Sequence, residues 1–232
     1  MQDQKRTKQK KYIMILSIIF LMVSFLFVFL WKNSNKISKN GNNNNETIEG
    51  VTESVLNMSS YEAKIEVTIN SNKNTNQYRL VQYYVAPNLS KQIVEEPSNI
   101  SGLMTTFDGE NLKVQNTKLN LTTIYKHYQY LTENDLFLNT FIEDYRNNIE
   151  KSKVEETKDS IILSTQIEKN KNQYRMNKIL YIDKKTGKPT KMEVQDVNQN
   201  VAVYILYNEI KINQTKPEEI VAFWYQNDVT EV

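Results

Sequence analysis

From Tyr61 to Ile69 the chain alternates strictly. Tyr61, Ala63, Ile65, Val67 and Ile69 are largely apolar, while Glu62, Lys64, Glu66 and Thr68 between them are polar. A side-chain period of two puts the first set on one face of an extended strand and the second on the other. One dry and one wet face is the pattern of an antiparallel sheet covered on one side, not of a parallel sheet buried on both. Similar extended stretches recur in "YRLVQYYVA", "LSKQIVEE", "LMTTF" and "NLKVQ", and again in "VEET", "SIILSTQIE", "YRMNKILYID", "TKMEVQDV" and "VAVYILYNEIKIN". Turn chemistry separates them: Pro87–Asn88, Pro97, Asp108–Gly109, and "KKTGKP", where Gly187 is free to adopt a positive φ.

Helical spacing interrupts the strands. Ile48, Val51, Val55 and Met58 predict a helix over Glu46–Met58, with Glu46 and Glu49 near the positive end of its dipole. A second helix is predicted over Leu131–Ile149, capped by Thr132, with Asp135 in its first turn and Phe137, Phe141 and Tyr145 on one face. A third starts at the Thr215 cap, with Glu218 at the capping-box position and Ile220, Val221, Phe223 and Trp224 on its apolar side. The fold class is therefore α+β and mainly antiparallel β: a curved sheet with helices on one face.

The N-terminal region is different in kind. Tyr12 to Trp31 carries no charge, and only Ser17 and Ser24 interrupt it. As a helix it is about 30 Å long, matching the hydrocarbon core of a bilayer. It outruns a secretory h-region and ends in Val28, Phe29, Leu30 and Trp31, with no small-residue cleavage pattern. No cysteine is present to accept a lipid. An uncleaved signal anchor is expected at residues 12–31. A basic cytoplasmic tail (1–11) precedes it; a disordered linker (32–45) and an extracytoplasmic domain (46–232) follow. The linker reaches at most about 50 Å.

The chain has 29 Lys/Arg and 27 Asp/Glu, but eight of the former and one of the latter lie before residue 40. The expected outer part thus holds 21 basic and 26 acidic groups and is mildly acidic. That argues against a nucleic-acid partner, which selects a basic face. Without cysteine, and with His127 as the only histidine, thiol catalysis and histidine-cluster metal sites are excluded. No phosphate-cradling glycine loop or nucleophile elbow occurs. The acidic neighbours Glu95–Glu96, Glu143–Asp144, Glu155–Glu156 and Glu218–Glu219 are not singled out as a catalytic pair, because neighbours on a strand face opposite ways. No catalytic, cofactor or metal residues are assigned. His127 sits among Tyr125, Tyr128 and Tyr130. This is either an aromatic patch for a partner or glycan or, more commonly, a segment packing its rings on the core.

The stretch from Tyr83 to Asn116 resembles the lipoprotein-carrier (LolA-like) superfamily through Pro87, Pro97, Asp108, Gly109 and Leu112. A second stretch, from Leu180 to Asn213, resembles it through Asp183, Gly187, Pro189, Asp196, Asn200 and Tyr207. Within the superfamily the chain is most similar to the GerS-like spore-germination lipoproteins of clostridia. The resemblance implies an incomplete β-barrel with helices over its mouth. It also implies a non-enzymatic protein that binds and supports a cell-wall amidase acting on spore cortex. The chain departs from the family in having an apolar span where a lipidated cysteine is expected. The alternative reading is a lipid- or lipoprotein-binding module that holds acyl chains in the half-barrel, with Ile65, Val67 and Ile69 as cavity candidates. Filling of that space by Tyr83, Tyr84, Tyr181 and Tyr204 would exclude carriage. A third reading, an envelope-stress sensor, would need a second membrane partner. The expected location is a single-pass membrane protein facing the cell surface or the forespore intermembrane space. The expected interface is an exposed strand edge or the helical face.

Overall fold

The structure is a computed structural model that describes residues 47–71, 73–128, 135–167, 175–218, 220 and 222. The expected tail, membrane span and linker lie outside the described residues. Among the described residues no helix is long and apolar enough to cross a membrane.

Among the described residues eleven strands form one open antiparallel sheet. They are β1 (Ser60–Asn70), β2 (Thr75–Val85), β3 (Leu89–Glu96), β4 (Leu103–Phe107), β5 (Leu112–Asn116) and β6 (Leu121–Tyr125), then β7 (Lys153–Glu156), β8 (Ser160–Gln166), β9 (Asn177–Asp183), β10 (Pro189–Gln195) and β11 (Val201–Ile212). The spatial order is β6-β5-β4-β3-β2-β1-β11-β10-β9-β8-β7. The chain therefore meanders outward from β1 to one edge, passes to the opposite edge, and meanders back until β11 pairs with β1. The passage from β6 to β7 must span the sheet. It carries the main covering helix with it.

Parity decides what is buried. In β1, Tyr61 lies between Tyr84 and Ile212, Ile65 between Leu80 and Tyr207, and Val67 between Tyr78 and Ile205. Farther out, Ile205 faces Met192, Met192 faces Leu180, and Leu180 faces Leu163. This row is the dry face. The wet face of β1 instead carries cross-strand ion pairs, Lys64–Glu209 at 3.1 Å and Lys211–Glu62 at 3.2 Å. Those pairs are exposed or half-exposed and add little stability.

Two helices pack on the dry face among the described residues. The first, α1 (Ile48–Leu56), is capped by Thr47, whose Oγ1 accepts from the Gly50 N–H at 3.2 Å, and it buries Val51 and Val55. The second, α2 (Leu138–Asn147), buries Leu138, Phe141, Ile142 and Tyr145. The Phe141 and Tyr145 rings lie 5.9 Å apart. The helix starts later than the predicted Leu131, and Thr132 lies outside the described residues. Asp135 precedes the helix instead of sitting in its first turn. The reason is electrostatic. Asp135 is drawn to Arg175 and Lys178, both at 3.0 Å. At the far end, Pro217, Glu218, Ile220 and Ala222 are helical. The Thr215 hydroxyl is buried with no hydrogen-bond partner among the described residues, so the predicted cap bond is not made. Val221, Phe223 and Trp224 lie outside the described residues.

Lys178 is fully buried on the dry face, the parity shared with Leu180 and Ile182. It binds Asp135 at 3.0 Å, Asp144 at 2.7 Å and the Thr140 hydroxyl at 3.1 Å. Three of its contacts thus belong to α2 or the turn before it. Breaking a buried pair by deleting one partner strands the other charge in a poor solvent. Lys178→Ala is expected to lower unfolding free energy by about 3–5 kcal/mol in denaturant titration. Adding Asp135→Asn and Asp144→Asn should recover part of the loss. A loss under about 1 kcal/mol would contradict the account of how α2 is docked.

Candidate functional site

The two free edges of the sheet differ in chemistry. At one end β7 reads Lys-Val-Glu-Glu and is exposed throughout. Charges on an edge discourage another strand from pairing there. At the other end β6 reads Leu-Thr-Thr-Ile-Tyr, with no charge in its five residues. It pairs with β5 in the register Asn116↔Leu121 to Leu112↔Tyr125. Among the described residues no strand pairs with its outer side. Its composition is β-branched and aromatic, as strands favour.

Apolar surface concentrates on this edge. Seven large apolar side chains are exposed among the described residues, and four of them are Leu119, Leu121, Ile124 and Tyr125. Leu121 is 62 % exposed and Tyr125 50 %. Tyr125 lies 6.3 Å from Tyr128, ring centre to ring centre. His127 follows with φ 52°, and its Nδ1 lies 2.7 Å from the Glu110 carboxylate. The His127 backbone N–H donates to Asn111 Oδ1 at 3.2 Å. Tyr125 and His127 therefore line the surface and do not pack on the core, the less common of the two arrangements expected for this segment. Tyr130 lies outside the described residues.

Behind the edge the sheet changes character. Lys91 and Lys113 are both almost fully buried, and burial alone pushes the Lys91 ammonium down to about 8 and the Lys113 ammonium down as well. Lys91 lies 5.2 Å from the centre of the Tyr83 ring.

The three cavity candidates separate. Ile65 and Val67 are sealed in the core beneath the helices. Ile69 is half-buried and lines a cleft of about 780 Å³ at the end of β1, with Lys73, Arg175, Asp196, Asn200 and Val203. Polar side chains outnumber apolar ones around this cleft. Of the four tyrosines that bear on carriage, Tyr84 is on the dry face, stacked 5.7 Å from Tyr61. Burial raises its hydroxyl to about 12, and Glu143 adds to the shift. Tyr181 and Tyr204 point the other way, toward Lys191, at 3.8 and 5.8 Å from its ammonium. The dry face is filled chiefly by α1, α2 and Tyr84.

Several of the residues that carried the family resemblance are turn formers. Asp108 Oδ1 accepts from the N–H groups of Glu110 and Asn111 at 2.9 and 2.6 Å, and Gly109 has φ 100°. Asp183 Oδ1 accepts from Lys185 and Thr186, and Gly187 has φ 65°. Asp196 Oδ1 accepts from Asn198 and Asn200 at 2.8 Å. Hydrogen bonds from Thr186 hold the Asp183 carboxyl below its usual range, and those from Asn200 do the same for Asp196. These groups fix the hairpins and are spent in doing so.

Strand β6 and Lys178 were not anticipated. For β6 the available signal was a short uncharged, β-branched run between Lys118 and Lys126. For Lys178 it was a lysine at apolar parity in "KILYI".

The sporulation protein YdcC-like family matches this chain over residues 9–220. No curated protein matches it. Among solved structures, it is similar to a chain in the structure of the CwlD amidase from Clostridioides difficile in complex with the GerS lipoprotein. That match has 27% identity and a TM-score of 0.45, over 74% of this chain and 97% of the matched chain. It is also similar to an uncharacterized conserved protein from Thermus thermophilus, at 11% identity and TM-score 0.47, over 75% and 93% of the two chains. A LolA superfamily protein from Nitrosomonas europaea matches at 10% identity and TM-score 0.36, over 76% and 98%. No site residue is transferred from these matches.

Because Leu121 and Tyr125 stand clear of the core, Leu121→Lys and Tyr125→Lys are expected to change unfolding free energy by no more than about 0.5 kcal/mol. A thermal or denaturant unfolding series reads this directly. A loss above about 2 kcal/mol would make the edge side chains structural.

Proposed function

Since the chain belongs to the sporulation protein YdcC-like family, we propose that it is a non-enzymatic, membrane-anchored binding protein of the spore envelope. Its partner in this reading is a cell-wall amidase that acts on spore cortex, which the domain holds and supports. The apolar span at residues 12–31 tethers the domain on the outer side of a membrane, and the 32–45 linker sets its reach. The observation that supports partner binding over carriage is the contrast between a filled face and a bare edge. Phe141, Leu138, Tyr145 and Val55 occupy the space that an acyl chain would need. Of the seven large apolar side chains exposed among the described residues, Leu119, Leu121, Ile124 and Tyr125 lie on β6 or in the turn before it. Contiguous exposed apolar surface on a folded domain is commonly an interaction site.

The test uses the full chain in detergent or nanodiscs with a purified cortex amidase from the same organism. Size-exclusion chromatography and calorimetry are expected to give a stoichiometric complex. Lipid extraction of the purified chain should release no stoichiometric acyl lipid. Absence of a complex, together with one bound acyl lipid per chain, would move the function to the alternative reading.

A further inference from the structure

We propose that the face of β2 to β5 turned away from α1 and α2 is a docking site, and that its occupant is a segment of this same chain: the helix begun at Pro217, which lays Phe223 and Trp224 across it. This goes beyond the amidase reading and does not depend on it.

The observation that carries it is an inversion of burial across the sheet. Side chains of directly opposed residues share a face. One such row runs through Glu62, Tyr83, Lys91, Thr106 and Lys113. It begins on the wet face, where Glu62 pairs with Lys211. Yet Lys91, Thr106 and Lys113 are only 3, 1 and 1 % exposed. The next row does the same: Lys64 is exposed, while Val81, Met104 and Gln115 of the same face are buried. In β5 the residues of dry parity, Leu112, Val114 and Asn116, are the less buried ones. A face open to water would not bury these side chains, and α1 and α2 lie on the other side.

The path of the chain selects the occupant. The chain entering α2 is tied to the dry face, where Gln82 donates to the Leu136 carbonyl at 3.2 Å. The connection from β8 to β9 belongs to the opposite meander. After β11, by contrast, the Asn213 N–H donates to the Ser60 carbonyl at 2.8 Å, and Asn213 Oδ1 accepts from the Ser59 N–H at 2.8 Å. Ser60 opposes Val85, and Val85 opposes Leu89. The chain thus leaves β11 at the corner of β1, β2 and β3, two residues from the row of Tyr83 and Lys91. Ile220 follows, fully buried but not part of the dry-face cluster. From β1 to β5 is four strand spacings, about 19 Å. About 13 helical residues cover that distance, so a helix from Pro217 reaches β5.

The chemistry also fits. Ile220, Phe223 and Trp224 stand at helical spacing and share one side of such a helix. Val81, Met104 and the aliphatic stems of the two lysines offer apolar surface to it. Aromatic faces attract ammonium groups, as the Tyr83 ring 5.2 Å from the Lys91 ammonium already does.

The test uses the full-length chain in detergent, acetylated with a water-soluble ester and read lysine by lysine by mass spectrometry. Lys91 and Lys113 are expected to react at least about tenfold more slowly than the exposed Lys64. Phe223→Asp with Trp224→Asp should raise both rates about tenfold or more. Lys178, sealed beneath α2 on the other face, should stay protected and so report that the fold is intact. A second measurement does not rely on that variant. The chain has no cysteine of its own. A short bismaleimide should therefore join Ile93→Cys to Phe223→Cys within one chain, and should not join Ser164→Cys to Phe223→Cys. Continued protection of Lys91 and Lys113 in the double-aspartate variant would overturn the proposal, as would equal cross-linking of the two pairs. A cross-link formed only between chains would also overturn it, by giving the face to a second copy. If Lys178 loses protection together with the other two, the cross-link alone decides.

Discussion

The structure depends on how α2 is held against the sheet. This helix has no side-chain cap of its own, because Phe137 occupies the N-cap position. The sheet provides the missing acceptor: the Leu138 N–H donates to the Tyr61 phenol at 3.1 Å. Gln82 donates to the Leu136 carbonyl at 3.2 Å, and Lys178 anchors the helix through Asp144 and Thr140. A helix end that leaves its N–H groups unmet in an apolar setting is costly, so this clamp is what makes burial of the helix tolerable. Arg146 secures the other end through the Leu56 carbonyl at 2.6 Å, which ties α2 to α1.

Topology explains why the clamp matters for function. Two meanders meet at β1 and β11, and their far ends are the two edges. The connection between those edges lays α2 across the dry face, where Phe141 and Leu138 complete the core. A half-barrel closed by its own crossover has little apolar interior left to offer a ligand. Part of its exposed apolar surface lies at the periphery, on β6 and the turn before it. One fold thus separates a sealed face from a receptive edge.

Much of this was legible in residue order. The alternation from Tyr61 to Ile69 specified β1 and its burial, and the Asp108–Gly109 and Gly187 turns specified their hairpins. Local rules failed where partners are distant. Thr132 and Asp135 read as a helix start, but Asp135 answers to Lys178 and Arg175, which no local pattern reveals. Lys178 shows its parity in "KILYI", yet the carboxylates that make its burial tolerable come from another part of the chain. β6 escaped notice because a solvent-facing edge strand need not alternate: both of its faces are open, so hydrophobic periodicity has nothing to record. The cavity candidates Ile65, Val67 and Ile69 share a parity but not an environment, since α1 and α2 cover the first two and leave the third at the rim.

Hydrogen–deuterium exchange on the full chain, alone and with the cortex amidase, tests the central claim most directly. The account predicts slow exchange for α2 and β1 in both states, and new protection confined to residues 121–125 when the partner is added. Unchanged exchange in β6, with loss of protection in α2 as the partner binds, would contradict it. That outcome would mean the helix opens and the face beneath it is the binding surface.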